Sequence, residues 1–229
     1  MENKIEHLAW SRDTIQHSRM PKGGRELETY ERILGFNRKE LENLRILDLG
    51  CGPELKFSEG LKAAGINADA VSLSPDFSAE EHAKRAKTVN PDSRLVAAIG
   101  QELPFKDNTF DRVMGLSVHD HLPSPEAFSK VVLEVIRVLK DKGIAYFGPF
   151  QMIAFNEDRK FYSEGFNEAF HKLIASKEIK KAIKESGVKI FEDEIPGSAV
   201  NIVVDQETGK DYIYGTNRIV ITKGEREDE

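Results

Sequence analysis

The run Ile46-Leu47-Asp48-Leu49-Gly50-Cys51-Gly52-Pro53 is the stretch of this 229-residue chain in which residue types and spacing point most directly to chemistry. Three apolar residues and an acid read as a short buried strand that stops at two glycines one residue apart. A parallel strand covered on both faces has this composition, and glycine serves where backbone turns sharply or lies against a ligand. Leu55, Phe57, Leu61 and Ala64 then offer the inner face of a following helix. Strand, glycine turn and helix make the entrance to a nucleotide or dinucleotide site, where amides at the helix start face the ligand. Within this run, Asp48 reads as a structural acid holding the turn, and Cys51 as the small residue the turn tolerates rather than a nucleophile. A second constellation, His119-Asp120-His121, could turn two imidazoles toward one ligand. No third ligand of suitable spacing accompanies it, so no metal site is assigned.

The surrounding elements must position the turn. Apolar runs alternate with amphipathic stretches, the pattern of a parallel sheet with crossover helices. Strands are expected at 45–49, 68–73, 94–98, 111–116 and 143–148. The clearest helix is expected over 125–140, with Val131, Val132, Val135, Val138 and Leu139 on one face, ended by Lys140-Asp141-Lys142-Gly143. Another begins near Ser74-Pro75-Asp76, with a thin inner face of Ala79, Ala83 and Ala86. Leu27, Tyr30, Ile33 and Leu34 make a short amphipathic helix before the core. Residues 157–186 read as one long helix or two, and Lys177, Lys180, Lys181 and Lys184 form a solvated stripe on it. The end looks antiparallel, from Val200 to Val204, then Tyr212 to Tyr214 and Arg218 to Thr222. The division expected is a helical cap or lid over 1–44, a main domain over 45–223 and a frayed charged tail over 224–229.

Composition bounds the function. With 39% hydrophobic residues and mixed charges the chain reads as a globular protein. No apolar run approaches the roughly 20 residues of a membrane helix, and Met1 to Trp10 lacks a signal-peptide core, so the expected compartment is the cytoplasm. A single cysteine excludes an internal disulfide or a cysteine-cluster zinc site. A net charge of −6 argues against a nucleic-acid partner.

Four pieces in order resemble the class I S-adenosylmethionine-dependent methyltransferases, in their small-molecule branch. They are Leu47 to Pro53; Val71-Ser72-Leu73-Ser74-Pro75; Glu102-Leu103-Pro104-Phe105-Lys106-Asp107-Asn108-Thr109-Phe110-Asp111; and His121-Leu122 followed by Arg137-Val138-Leu139-Lys140 and Gly143. The resemblance implies an α/β fold: a Rossmann-like doubly wound sheet of about seven mainly parallel strands, the last antiparallel, with helices on both faces. It implies S-adenosyl-L-methionine as cofactor and a small-molecule methyl acceptor. Gly50, Cys51 and Gly52 would pass under the methionine part. Ser72 and Leu73 would lie at the ribose and adenine, Ile99, Gly100 and Gln101 would border the adenine, and Leu116 and Ser117 would floor the pocket.

Three positions depart from the family pattern. Pro53-Glu54 stands where a further glycine usually follows, Ser72 where an acid grips the ribose, and Ile99 where an acid takes the adenine amino group. Glu54 is expected to face the cofactor's carboxylate, with Arg12, Arg19, Lys22 or Arg25 as its neutralising cation. Phe150, Met152, Ile153 and Phe155 suit a substrate wall or core packing equally. No catalytic residue is named, because methyl transfer depends mainly on in-line positioning and needs a base only when the acceptor loses a proton. Two readings stay open: an active methyltransferase, or a methyltransferase-like binding or regulatory protein with weakened cofactor use.

Overall fold

The computed structural model describes residues 26–116, 118, 122, 124–148, 152–154, 175–194, 201–204, 211–214 and 217–224. Helix α1 (Leu27–Leu34) precedes β1 (Arg45–Leu49), α2 (Lys56–Ala63), β2 (Asp69–Leu73), α3 (Glu80–Val89), β3 (Arg94–Val96) and β4 (Phe110–Leu116). Then follow α4 (Pro125–Val138), β5 (Leu139–Gly148), β6 (Met152–Ala154), α5 (Lys177–Ser186), β7 (Val188–Glu194), β8 (Asn201–Val204), β9 (Asp211–Tyr214) and β10 (Asn217–Lys223). Seven strands form the main sheet in the order β3-β2-β1-β4-β5-β10-β7. β1 pairs in parallel with β2 and β4, and β10 runs antiparallel to both its neighbours. This is the doubly wound, mainly parallel sheet that the sequence implies.

Alternation along β1 explains why helices cover both faces. Leu47 and Leu49 join Val131, Val132 and Val135 of α4 in one core cluster. Ile46, from the other face, packs with Leu27, Tyr30 and Leu34 of α1 and with Phe57 and Leu61 of α2. β1 is thereby buried on both sides, which is why its sequence reads as a nearly continuous apolar run.

Several boundaries differ from expectation, and β3 ends at Val96 rather than at residue 98. Helix α4 stops at Val138, and Leu139 already has extended backbone, φ −67° and ψ 134°. The last helical carbonyls have partners that do not require glycine: Asn108 and Thr109 donate backbone N–H groups to Arg137 and Val138, and the buried Lys223 amine donates to the Ile136 and Leu139 carbonyls. Gly143 therefore lies within β5, and Lys142 takes the left-handed turn at φ 63°. The β4–β5 register shifts between Phe110 and Arg112 to absorb the extra residues. After β2, Pro75–Ser78 forms a 3-10 turn, and Ala79 returns to extended backbone before α3 begins.

The C-terminal hairpin is real but lies elsewhere. β8 and β9 pair antiparallel in a separate sheet of order β6-β9-β8, and β10 alone of the three expected segments enters the main sheet. The remaining edge strand, β7, was not anticipated from the sequence. Residues 157–174 of the expected long helical stretch lie outside the described residues; α5 covers its end, with Ile179 buried and all four stripe lysines exposed. Among the described residues no helix is long and apolar enough to cross a membrane.

Candidate functional site

β1 delivers the chain into a turn that only glycine accommodates easily, with Gly50 at φ 73° and Gly52 at φ 65°. The Gly50 and Cys51 amides both donate to the Leu73 carbonyl, at 2.8 and 3.3 Å, so the turn is tied to the end of β2. A Cβ on Gly50 would come within 3.2 Å of Val118, just past β4. Leu55, at φ 51° and fully buried, opens α2 without a side-chain cap. The first-turn amides of α2 therefore have no side-chain acceptor from the capping position, an arrangement suited to an anionic or polar ligand group.

Behind the turn sit three polar side chains. Asp48 is fully buried and accepts a hydrogen bond from the Tyr30 hydroxyl at 3.4 Å. Ser72 stands directly opposite Asp48 in the β1–β2 register, on the same face. Its hydroxyl is also fully buried and has no hydrogen-bond partner among the described residues. Burial pushes the Cys51 thiol well above its ordinary value and the Asp48 charge pushes it further. The nearby Ser72 hydroxyl acts the other way, although the two groups do not meet in hydrogen-bond geometry. A thiol so protonated is no nucleophile at neutral pH, in line with the structural reading of Cys51.

The loop carrying Ile99, Gly100 and Gln101 is placed from α4. A Cβ on Gly100 would lie 3.2 Å from Val131 and 3.5 Å from Leu49, which sets this loop against the end of β1. Downstream, Glu134 accepts the Leu103 amide at 2.7 Å, and Arg137 donates to the Leu103 and Phe105 carbonyls at 2.9 and 2.7 Å and to Asp107 at 2.9 Å. Arg137 holds the Glu134 carboxyl below the usual carboxylate range, and Glu134 in return raises the guanidinium.

The structure thus brings Gly50, Cys51, Gly52, Ser72 and Gly100 to one end of the sheet. Leu73 contributes its carbonyl to the turn while its side chain packs in the core. Leu116 ends β4 with its side chain in the α1 cluster. Ser117, His119, Asp120, His121, Phe150, Phe155 and the four N-terminal basic residues lie outside the described residues. Among the described residues no group of three potential ligands is arranged for a metal ion.

Glu54 meets a cation other than the four expected from the N-terminal segment. Arg85, from α3, approaches its carboxylate at 3.3 Å, with both side chains more than half exposed. In the sequence Tyr30 reads only as a core residue, and nothing there marks Glu134 and Arg137 on α4 as a brace for the β3–β4 loop. Periodicity marks Tyr30 as inward-facing, but nothing in the sequence says that Asp48 lies across from it.

A left-handed glycine turn, a helix start without a side-chain cap and a buried hydroxyl lacking a partner together fit a nucleoside cofactor of the S-adenosylmethionine type. The fold itself is the Rossmann-like architecture of the class I methyltransferases. Residues 47–147 match the sequence family described as a methyltransferase domain. It is 26% identical over 203 residues to a sterol 24-C-methyltransferase from Schizosaccharomyces pombe, covering 81% of this chain and 50% of that one. To a ubiquinone biosynthesis O-methyltransferase from Rhizobium etli it is 29% identical over 168 residues, covering 66% of this chain and 62% of the relative. The chain therefore spans half to three-fifths of the length of these relatives. An N-methyltransferase from Haemonchus contortus, solved with phosphomonomethylethanolamine and S-adenosylhomocysteine, shares the fold at a TM-score of 0.52 and 15% identity, covering 80% of this chain and 49% of that one.

Proposed function

We propose that this chain is an S-adenosylmethionine-dependent methyltransferase acting on a small-molecule acceptor, with the cofactor at the carboxyl ends of β1, β2 and β4. The observation that carries the reading is the Gly50-Cys51-Gly52 turn, hung on the Leu73 carbonyl above the buried, unpartnered Ser72 hydroxyl. When bound, the cofactor supplies a methyl group already activated on a sulfonium. The chain's own task is then to bind, orient and exclude water. The glycine turn lets backbone lie against the methionine part, Ser72 offers a neutral partner to a ribose hydroxyl, and the loop from Ile99 to Gln101 borders the base. The names of the sterol and ubiquinone-biosynthesis relatives support a small-molecule acceptor.

A second reading, a methyltransferase-like binding or regulatory protein with weakened cofactor use, is favoured by Ser72 and Ile99 standing where the family carries acids. Hydrogen bonds to charged groups are worth about 1.5–3 kcal/mol against about 0.5–1.5 for neutral ones. Losing that advantage at Ser72 and the whole contact at Ile99 weakens binding on the order of 10- to 1000-fold. Calorimetry with S-adenosylmethionine and S-adenosylhomocysteine separates the readings. Saturable binding of both supports the enzyme, and no heat at millimolar ligand leaves only the second reading.

A further inference from the structure

We propose that Tyr30 is a positioning residue for the glycine turn, joining helix α1 to the strand that enters the turn and to the helix that leaves it. Its consequence for cofactor affinity rests on the function proposed above. The Tyr30 side chain is 1% exposed, and its ring lies 4.9 Å from that of Phe57 on α2. Its hydroxyl donates to Asp48 Oδ1 at 3.4 Å, two residues before Gly50. A buried carboxylate takes its orientation from its donors, so a donor on α1 transmits the position of that helix to the end of β1.

Helix α1 is itself held at both ends. Glu26 pairs with Lys56 at the start of α2 at 3.2 Å. Leu27 packs so tightly over Gly60 that a Cβ there would lie 2.5 Å from it. At the other end Arg218, from β10, donates to the Leu34 carbonyl at 2.7 Å, and its guanidinium occupies the space a side chain on Gly35 would need. A helix fixed at both ends, with one hydroxyl aimed at the acid behind a ligand loop, is a brace for that loop.

The test is Tyr30→Phe in the full chain, which keeps the ring and removes the donor. Amide hydrogen exchange is read at Gly50 and Cys51, whose N–H groups bond to Leu73 at 2.8 and 3.3 Å, and at the interior strand residues Leu47 and Val113. The expected result is exchange roughly three- to tenfold faster at the two turn amides only, with a similar rise in the S-adenosylhomocysteine Kd. Equal acceleration at all four amides, or none at the turn, overturns the proposal, since a residue that merely packs would not act selectively. Asp48→Asn weakens the same contact from the other side. The double variant must show less than the sum of the single effects, and additivity also overturns the coupling. If the wild-type chain binds no S-adenosylhomocysteine, the cofactor reading fails alone, and exchange at Gly50 and Cys51 still decides the role of Tyr30.

Discussion

Glu134 and Arg137, one turn apart on α4, meet as a bidentate pair, with Arg137 Nε and Nη2 at 2.8 and 2.7 Å from the two carboxylate oxygens. The pair also fixes the loop between β3 and β4 through the Leu103 amide and the Leu103 and Phe105 carbonyls. Arg137→Ala removes the guanidinium from two backbone carbonyls and leaves a half-buried carboxylate without its cation. The expected loss is about 1–3 kcal/mol of stability by urea denaturation, accompanied by weaker S-adenosylhomocysteine binding. Glu134→Gln keeps an acceptor for the Leu103 amide and is expected to cost less. Equal costs in the two variants would place the effect in the ion pair rather than in the loop.

The same contact sets an acid limit. The hydrogen bond from Arg137 lowers the Glu134 carboxyl, and the hydrogen bond from Arg38 lowers that of Glu31. A carboxyl whose folded value is depressed contributes stability above its unfolded value, about 4.3, and loses it as pH falls through the lower folded value. Urea midpoints are therefore expected to hold between pH 7 and pH 5 and to fall below about pH 4.3. In Arg137→Ala the acid-dependent part of that fall should shrink. An unchanged slope would assign it to other carboxylates.

How far the sequence could be read depended on whether one element or two carried the information. Leu47, Asp48 and Leu49 with their glycines declare a buried parallel strand and its turn, because burial on both faces leaves a continuous apolar run. β7 does not declare itself. Only Val188, Ile190 and Phe191 stand out against Lys189 and three consecutive acids, and Phe191 is 43% exposed, as an edge strand allows. The end of α4 was misread because Lys140 to Gly143 matches a helix stop, whereas the carbonyls are satisfied from Asn108, Thr109 and Lys223, remote in sequence. Tyr30 and Arg85 acquire their roles only through the fold, since Asp48 and Glu54 are their partners across separate elements.

Ser72 and Asp48 share a register position, and this gives a substitution two opposed effects. Ser72→Asp supplies a charged acceptor for a ribose hydroxyl and is expected to tighten S-adenosylhomocysteine binding. It also sets a second carboxylate beside a buried one. Two like charges about 6 Å apart repel by roughly 3 kcal/mol at an effective dielectric near 20. The free variant should therefore melt lower than wild type and recover the difference on adding ligand. Gly52→Val should abolish binding, because φ 65° strains a branched residue and its side chain enters the ligand's space. Unchanged affinity in both variants would place the cofactor elsewhere.

Arg85 neutralises Glu54 across the mouth of the turn, with both side chains solvated. Surface pairs of this kind contribute little to stability, so Arg85→Ala is expected to leave the melting temperature within about a degree. Its effect should appear in binding. With Glu54 left to repel the cofactor's carboxylate, affinity should fall about two- to fivefold at low salt and recover as screening rises. Glu54→Gln should cancel the loss. A salt-independent defect in Arg85→Ala would mean that the arginine touches the ligand itself.

The segment before α1, which lies outside the described residues, is proposed as a lid over the cofactor. Trp10 to Gly24 combine an aromatic, several basic groups and the run Pro-Lys-Gly-Gly, a composition poorly suited to a regular core element. Closure of such a segment would exclude water from the transfer. Helix α1, with Leu27, Tyr30 and Leu34 buried, belongs to the packed core and must be kept in any truncation. Deleting residues 1–24 retains Glu26 and its pair with Lys56 and is expected to leave the urea midpoint unchanged. If Arg12, Arg19 or Lys22 supplies a cation for the methionine carboxylate, the truncated chain should bind S-adenosylmethionine about tenfold more weakly, one charge-assisted hydrogen bond's worth. Restoring the segment with those three residues changed to glutamine should reproduce the truncated affinity. A truncated chain that binds as tightly as the full one rules out the lid, and loss of cooperative unfolding would instead assign Trp10 to the core.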